Sequence, residues 1–341
     1  MYPQLGHVSL QKSLIFAVSQ DIAAKRGCRA AALKTGRSCH MYEDFGTILN
    51  RGFKTWVRNL NICIPYVLNF FINLILFVFF FVLIGALLYV SGSMNVVDPA
   101  VLTNEEIYSM IWDGFKNNIP VSVALVLAFF LLSMILQAFF TAGAIGMAKK
   151  ASETGDTVFS DMFRSGWKNS FRLFLTSLLL ALMVLAGIVF IVPGALTIGD
   201  LNSLVHNPGL PVKGMGVLGA GVMLWTVYLL VISILFSLAP YALVIDELDP
   251  LDALKAGYGF FMSNKLDVFF LWTFSVGLAF VNGFIGELLG SEILLVSIIT
   301  YFVPMIILQP FTAVLWTRLY LLGEERKLYN PDDLLSGPDG L

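Results

Sequence analysis

Six stretches of this chain contain no Asp, Glu, Lys or Arg, and they constrain the fold more than any motif does. They lie between Arg58 and Asp98, Lys116 and Lys149, Arg172 and Asp200, Lys213 and Asp246, Asp267 and Glu287, and Glu292 and Arg318. The shortest, Val268 to Gly286, has 19 residues. A bilayer hydrocarbon core needs about 20 apolar residues in helical form. Backbone N–H and C=O groups in hydrocarbon must pair internally, so such stretches are helices or the strands of a closed barrel. Barrel strands alternate in polarity over about 10 residues. FFINLILFVFFFVLIGALLYV (70–90) does not alternate. The expectation is an all-α membrane protein with six transmembrane helices, at about 62–90, 119–147, 172–198, 215–245, 267–287 and 293–317. Composition agrees. Only 13% of residues are charged, against about 25% in soluble domains.

The charges between the stretches are unevenly placed. With the N-terminus inside, 19 of the 21 Lys and Arg residues fall on the inner side, and only Lys116 and Lys213 fall outside. Positive residues collect on the cytoplasmic side of membrane proteins. Both termini are therefore expected in the cytoplasm of a cell-membrane protein, with the 91–118 connection as the largest external loop. The asymmetry does not depend on the first 40 residues, which hold six of the basic side chains.

Those 40 residues differ from the rest. Their apolar patch, LIFAV, is shorter than a signal-peptide core of about 7–15 residues. Two readings stand: a disordered tail, or an over-extended reading frame whose true start is Met41. The membrane domain is expected at 41–325, with a short cytoplasmic tail at 326–341.

A short pattern recurs before each odd-numbered span: ILNRGF (48–53), MFRSGW (162–167) and ALKAGY (253–258). Each has apolar or small residues, then a polar one, a variable one, glycine and an aromatic. Asn59 and Asn264 follow their glycines by seven residues; Asn169 follows Gly166 by three. Apolar residues around each motif share one helical face. The pattern predicts three tandem units, each an interfacial amphipathic helix followed by a two-helix hairpin. Gly52, Gly166 and Gly257 are expected to let each helix approach a span closely. Trp56, Trp167 and Tyr258 are expected at headgroup level. The asparagines can cap the helix that follows.

Three segments carry a likeness to known proteins: DFGTILNRGFKTWVRNL (44–60), PYALVIDELDPLDALKAGYGFFMSNKLDVFFL (240–271) and ILQPFTAVLWTRLYL (307–321). They resemble a family of uncharacterised six-helix archaeal and bacterial membrane proteins, related to the membrane domain joined to some glycerophosphodiester phosphodiesterases. The resemblance covers roughly residues 42–325. It implies a membrane domain without a known reaction and supplies no site residues.

Candidate sites each have a plainer reading. Gly214, Gly216 and Gly219 match GxGxxG, but no strand precedes them and an apolar stretch follows, so a dinucleotide site is not supported. Ala142, Gly143 and Gly146 form a small-residue face suited to close helix packing. Asp246, Glu247, Asp249 and Asp252 can bind a cation or form a solvated loop with Asp249 opening a helix. Asn69, Asn73, Gln137, Asn282 and Gln309 lie within the apolar stretches, where polar residues face the bundle interior. They can line a path or bond between helices. Cys28, Cys39 and Cys63 form no CxxC pair, and His206 stands apart from the other histidines, His7 and His40. Neither disulfide nor zinc spacing is present.

These observations favour a non-enzymatic membrane protein, without cofactor or metal, that organises lipid or partner proteins. The alternative is a passive channel or transporter for a small solute. A third is an enzyme acting on lipid headgroups. A phosphodiesterase barrel needs about 250 further residues, for which the chain has no room. Membrane lipids are the expected partners. A net charge of −2 opposes nucleic-acid binding, which needs a basic surface. A cysteine placed at Asn104 should react with an impermeant maleimide in intact cells. Protection there, with labelling of a C-terminal probe, would invert the topology.

Overall fold

The computed structural model describes residues 44–90, 112, 116, 118–198, 215–288, 299–300 and 302–329. The chain divides into two compact units after Asp44, and all the helices below belong to the second. The expectations for residues 1–40, the start at Met41, the loop from 91 to 111, His206, Gly214 and the tail beyond Tyr329 lie outside the described residues.

No strand occurs among the described residues. Helix α1 (Phe45–Arg58) is amphipathic and buries Ile48 and Gly52, one turn apart. A 3-10 turn at Leu60–Cys63 leads into α2 (Ile64–Val90), which carries no charge. Helix α3 (Ile119–Thr154) has Pro120 in its first turn, where no N–H is needed. It ends at Gly155, whose φ of 90° is the left-handed conformation that closes helices. Helix α4 (Phe159–Ala186) begins with Asp161 accepting from the Val158 N–H at 2.9 Å. It continues through a 3-10 turn, Gly187–Phe190, to α5 (Val192–Ile198). Then come α6 (Met215–Leu235), α7 (Ala239–Asp246), α8 (Pro250–Ser263) and α9 (Lys265–Leu288). A π-helical turn at Pro304–Leu308 runs into α10 (Gln309–Gly323). Six of the resulting helical runs are long and apolar enough to cross a bilayer.

Two of the breaks fall at prolines, Pro240 and Pro310. Proline has no N–H, so the carbonyl four residues earlier loses its helical partner. For Pro240 that carbonyl is Phe236 O, and the Ala239 N–H takes it at 3.1 Å where α6 gives way to α7. For Pro310 it is Ile306 O, and the Cys63 thiol donates to it at 3.0 Å. Each freed acceptor is satisfied, as an apolar interior requires.

The core lies at one end of the bundle, where Lys149, Asp246 and Arg326 also sit; we call it the charged end. There α3, α7 and α10 converge. Ala142, Leu243 and Leu315, one from each helix, are 0% exposed. Leu238 and Ala242 join them, with Trp316 and Tyr320. Away from this end the helices expose apolar side chains: Ile75 on α2 is 68% exposed and Phe280 on α9 73%. The small face of α3 packs on α4. A Cβ on Gly143 would meet Met162 and one on Gly146 would meet Ser165, whose hydroxyl donates to Ala142 O at 2.8 Å.

The three motif glycines are all buried. Gly257 on α8 lies on Ala239, Gly166 on α4 lies on Phe139 of α3, and Gly52 on α1 lies on Leu315 of α10. They thus pack against the fourth, second and sixth apolar stretches respectively. Asn59 and Asn264 share a backbone conformation, φ −120° and ψ 58° against φ −126° and ψ 45°. Both also donate Nδ2 to the carbonyl four residues earlier. The middle copy differs: α4 runs unbroken through Asn169, so no separate amphipathic helix precedes this stretch. The asparagine cap also takes another form. Asn59 makes no side-chain bond to the turn it precedes; its amide is used elsewhere, as shown below.

These glycines should differ in tolerance. An added Cβ on Gly257 would meet the Ala239 backbone N at 2.7 Å, which cannot rotate away. On Gly166 it would meet Phe139 O at 3.0 Å, and on Gly52 only the mobile end of Leu315. Gly257→Ala should cost about 1–3 kcal/mol from overpacking, Gly166→Ala less, and Gly52→Ala least. Thermal unfolding in detergent gives the order; a Gly52 variant worse than the Gly257 variant would contradict it.

Candidate functional site

Polar chemistry concentrates at the charged end, and Asn59 ties it together. Asn59 is 4% exposed. Its Nδ2 donates to Thr55 O at 3.0 Å and to Gly155 O at 2.9 Å, and its Oδ1 accepts from the Thr157 N–H at 3.0 Å. One side chain therefore clamps the α3–α4 turn to the α1–α2 junction. Arg58, its neighbour, pairs with both carboxylate oxygens of Asp156 at 3.0 and 3.1 Å and donates to the Tyr329 hydroxyl at 3.0 Å. These acceptors hold the guanidinium pKa above its ordinary value, Tyr329 contributing first. The Tyr329 N–H bonds Ser152 O at 2.8 Å, and its ring covers Gly155, where a Cβ would meet it. The segment after α10 is thus strapped across the α3–α4 turn.

The four acidic residues at the α7–α8 junction are distributed among cations and do not form one site. Asp246 accepts from the Tyr320 hydroxyl and from Arg326. Glu247 pairs with Lys168, and that bond, first among its causes, lowers the Glu247 carboxyl below its usual range. Its backbone carbonyl accepts from Arg172 at 2.7 Å, and Arg172 also lies 3.7 Å from Asp249. Asp252 pairs with Lys255 one turn on. Among the described residues no group of three or more His, Cys, Asp or Glu stands close enough to hold a metal ion. Lys149 Nζ donates to Ile245 O at 2.9 Å, and Arg318 is 1% exposed within α10.

Above this layer lies an open cleft of about 440 Å3, within the range of small-molecule sites. Thr141 and Ile145 of α3 form one wall, and Ser237, Pro240 and Tyr241 at the start of α7 a second. Trp272, Ser275, Val276 and Ala279 of α9 form a third, and Trp316 of α10 the last. Sequence reasoning missed it, because its residues are ordinary apolar and hydroxyl side chains from four separated helices. The break before Pro240 is the one signal that marked the place.

The five polar residues singled out from the apolar stretches lie elsewhere, and none lines the cleft. Asn73 donates to Asn69 Oδ1 at 2.8 Å and accepts from Ser133 of α3 at 2.8 Å. Asn282 donates to Thr300 O at 3.2 Å. Gln137 and Gln309 are exposed. Of the motif aromatics, Trp56 is half-buried against Phe53 and Phe311, while Trp167 is 85% and Tyr258 44% exposed.

A family described as a domain of unknown function (DUF7847) matches residues 73–321, from the middle of α2 to the end of α10. The chain belongs to that family. An uncharacterised protein of Archaeoglobus fulgidus is 26% identical to it over 303 residues, which cover 82% of this chain and 96% of the relative. No solved structure matches. The DUF7847 match contains the cleft and the acidic junction but not Asn59, which lies before it.

Exposed ion pairs contribute about 0–1 kcal/mol, whereas a buried polar group left unpaired costs about 1–3 kcal/mol. Asn59→Ala should therefore destabilise the protein by about 2–3 kcal/mol, more than Arg58→Ala, although Arg58 has the more conspicuous contacts. Parallel thermal melts in detergent test the order, and an Arg58 variant that melts first would reverse it.

Proposed function

We propose that this DUF7847 member is a non-enzymatic multi-pass protein of the cell membrane, with its charged end in the cytoplasm, that organises lipids or partner proteins. The supporting observation is the separation of surfaces. Apolar side chains are exposed along the flanks, as Val82 at 63% and Met223 at 74% illustrate, while the ion pairs of the described residues gather at one end. A soluble monomer rarely exposes apolar patches beyond about 300–600 Å2; hydrocarbon solvates such a surface without penalty. On this reading the exposed Trp167, beside Arg164 and Lys168, sits at headgroup level. Kinship with the membrane domain of glycerophosphodiester phosphodiesterases belongs to the same reading and supplies no reaction.

A passive channel is the second reading, and the cleft is what favours it. Against it stands the seal beneath the cleft, where Ile145 is 1% and Leu243 0% exposed. Conduction needs a continuous polar path, and the described residues of this layer, Ile145 and Leu243 among them, are apolar. Proteoliposomes carrying the protein should pass small neutral and charged solutes no faster than empty liposomes. Saturable flux of any of them would replace the scaffold reading with transport.

A further inference from the structure

The cleft has a chemistry that selects its occupant. Among the described residues its walls carry no carboxylate, amine or guanidinium, so a charged ligand would lose hydration without compensation. Two of its hydroxyl protons are already committed: Ser275 donates to Leu271 O at 2.8 Å and Ser237 to Ile234 O at 3.0 Å. The remaining surface is largely aromatic and aliphatic, with the Tyr241 and Trp316 rings 6.3 Å apart.

The cleft is also blind. Its rim includes Val276 and Ala279, both exposed on α9, whereas its floor includes Ile145 and Trp316, 1% and 7% exposed. Beneath the floor, Lys149 is bonded to Ile245 O and Asp246 to Tyr320 and Arg326. An occupant must enter past α9, be apolar along its length, and end against the floor.

We propose that the cleft holds one hydrocarbon chain of a membrane lipid, entering beside Ala279 and reaching Trp316. The proposal rests on the membrane reading above: hydrocarbon chains are then what surrounds the rim, and an empty apolar cleft would forfeit dispersion contacts that a chain supplies. It makes lipid a component of the bundle and not only its solvent. Trp316 is then the reporter, because it lines the cleft and is only 7% exposed.

The test uses full-length protein in vesicles of phospholipid brominated at mid-chain, which quenches nearby tryptophan. One variant keeps Trp316 alone, with Trp56, Trp112, Trp167, Trp225 and Trp272 changed to Phe. A second adds Ala279→Phe to fill the rim, and a third adds Ser275→Leu in case the second does not fold. A control replaces all six tryptophans by Phe and carries Phe77→Trp on the exposed flank of α2. The expected result is quenching of Trp316 at least half as strong as in the Phe77→Trp control, and relief of it in a folded filled variant. Quenching in the control without quenching of Trp316 would overturn the chain site and leave the membrane reading standing. Trp316 quenching that persists when the cleft is filled would overturn the proposed route. No quenching even in the control would remove the membrane reading, and the proposal with it.

Discussion

The bundle depends on the close approach of α3, α7 and α10 at the charged end. On the proposed membrane reading, helices surrounded by a medium as apolar as themselves gain nothing from simple burial, so their association rests on dense packing and on interhelical hydrogen bonds. Small residues make that packing possible here. Ala142 and Ala242 are fully buried in the shared core, and Ala313 is 2% exposed. Gly257 rests on the backbone of α7 and Gly52 on Leu315 of α10. Everything else at this end, from the Asn59 clamp to the strap ending at Tyr329, is positioned by that convergence.

A second constraint follows from the first. Where helices pack this tightly, a polar group without a partner is costly, and the chain supplies partners at its breaks. The Cys63 thiol takes the carbonyl that Pro310 leaves free, and the Asn59 amide takes the groups of the α3–α4 turn. The ion pairs lie further out, where water screens them, and serve more to place the loops than to hold the fold. Glu247 illustrates this: its φ of 58° is a turn conformation unusual outside glycine, and Lys168 and Arg172 hold it from α4.

The proposed function rests on what this end closes and what it leaves open. Below the cleft, Ile145, Leu243 and the Asp246–Tyr320–Arg326 contacts close this end among the described residues, and the cleft opens beside α9. A protein built so meets its surroundings laterally. That geometry suits contact with lipid chains or the apolar face of a partner better than passage of a solute from one end to the other.

The linear pattern by itself determined the six apolar helices, since an uncharged stretch of about 20 residues has few other solutions. It also marked the close-packing faces, since Gly143, Gly146, Gly52, Gly166 and Gly257 report small volume whatever they touch. Charge counting pointed to one basic side. Only the tertiary structure decided which helix each glycine meets, because a missing side chain specifies proximity but not a partner. Tertiary contacts also scattered the acidic run at 246–252 onto separate cations, and turned Asn59 from a local cap into a long-range clamp, since a buried amide goes to whichever groups the packed fold leaves unpaired. Beyond Pro240 the cleft had no linear signature: its walls come from four helices far apart in the chain, and their meeting is a property of packing, which residue order alone does not encode.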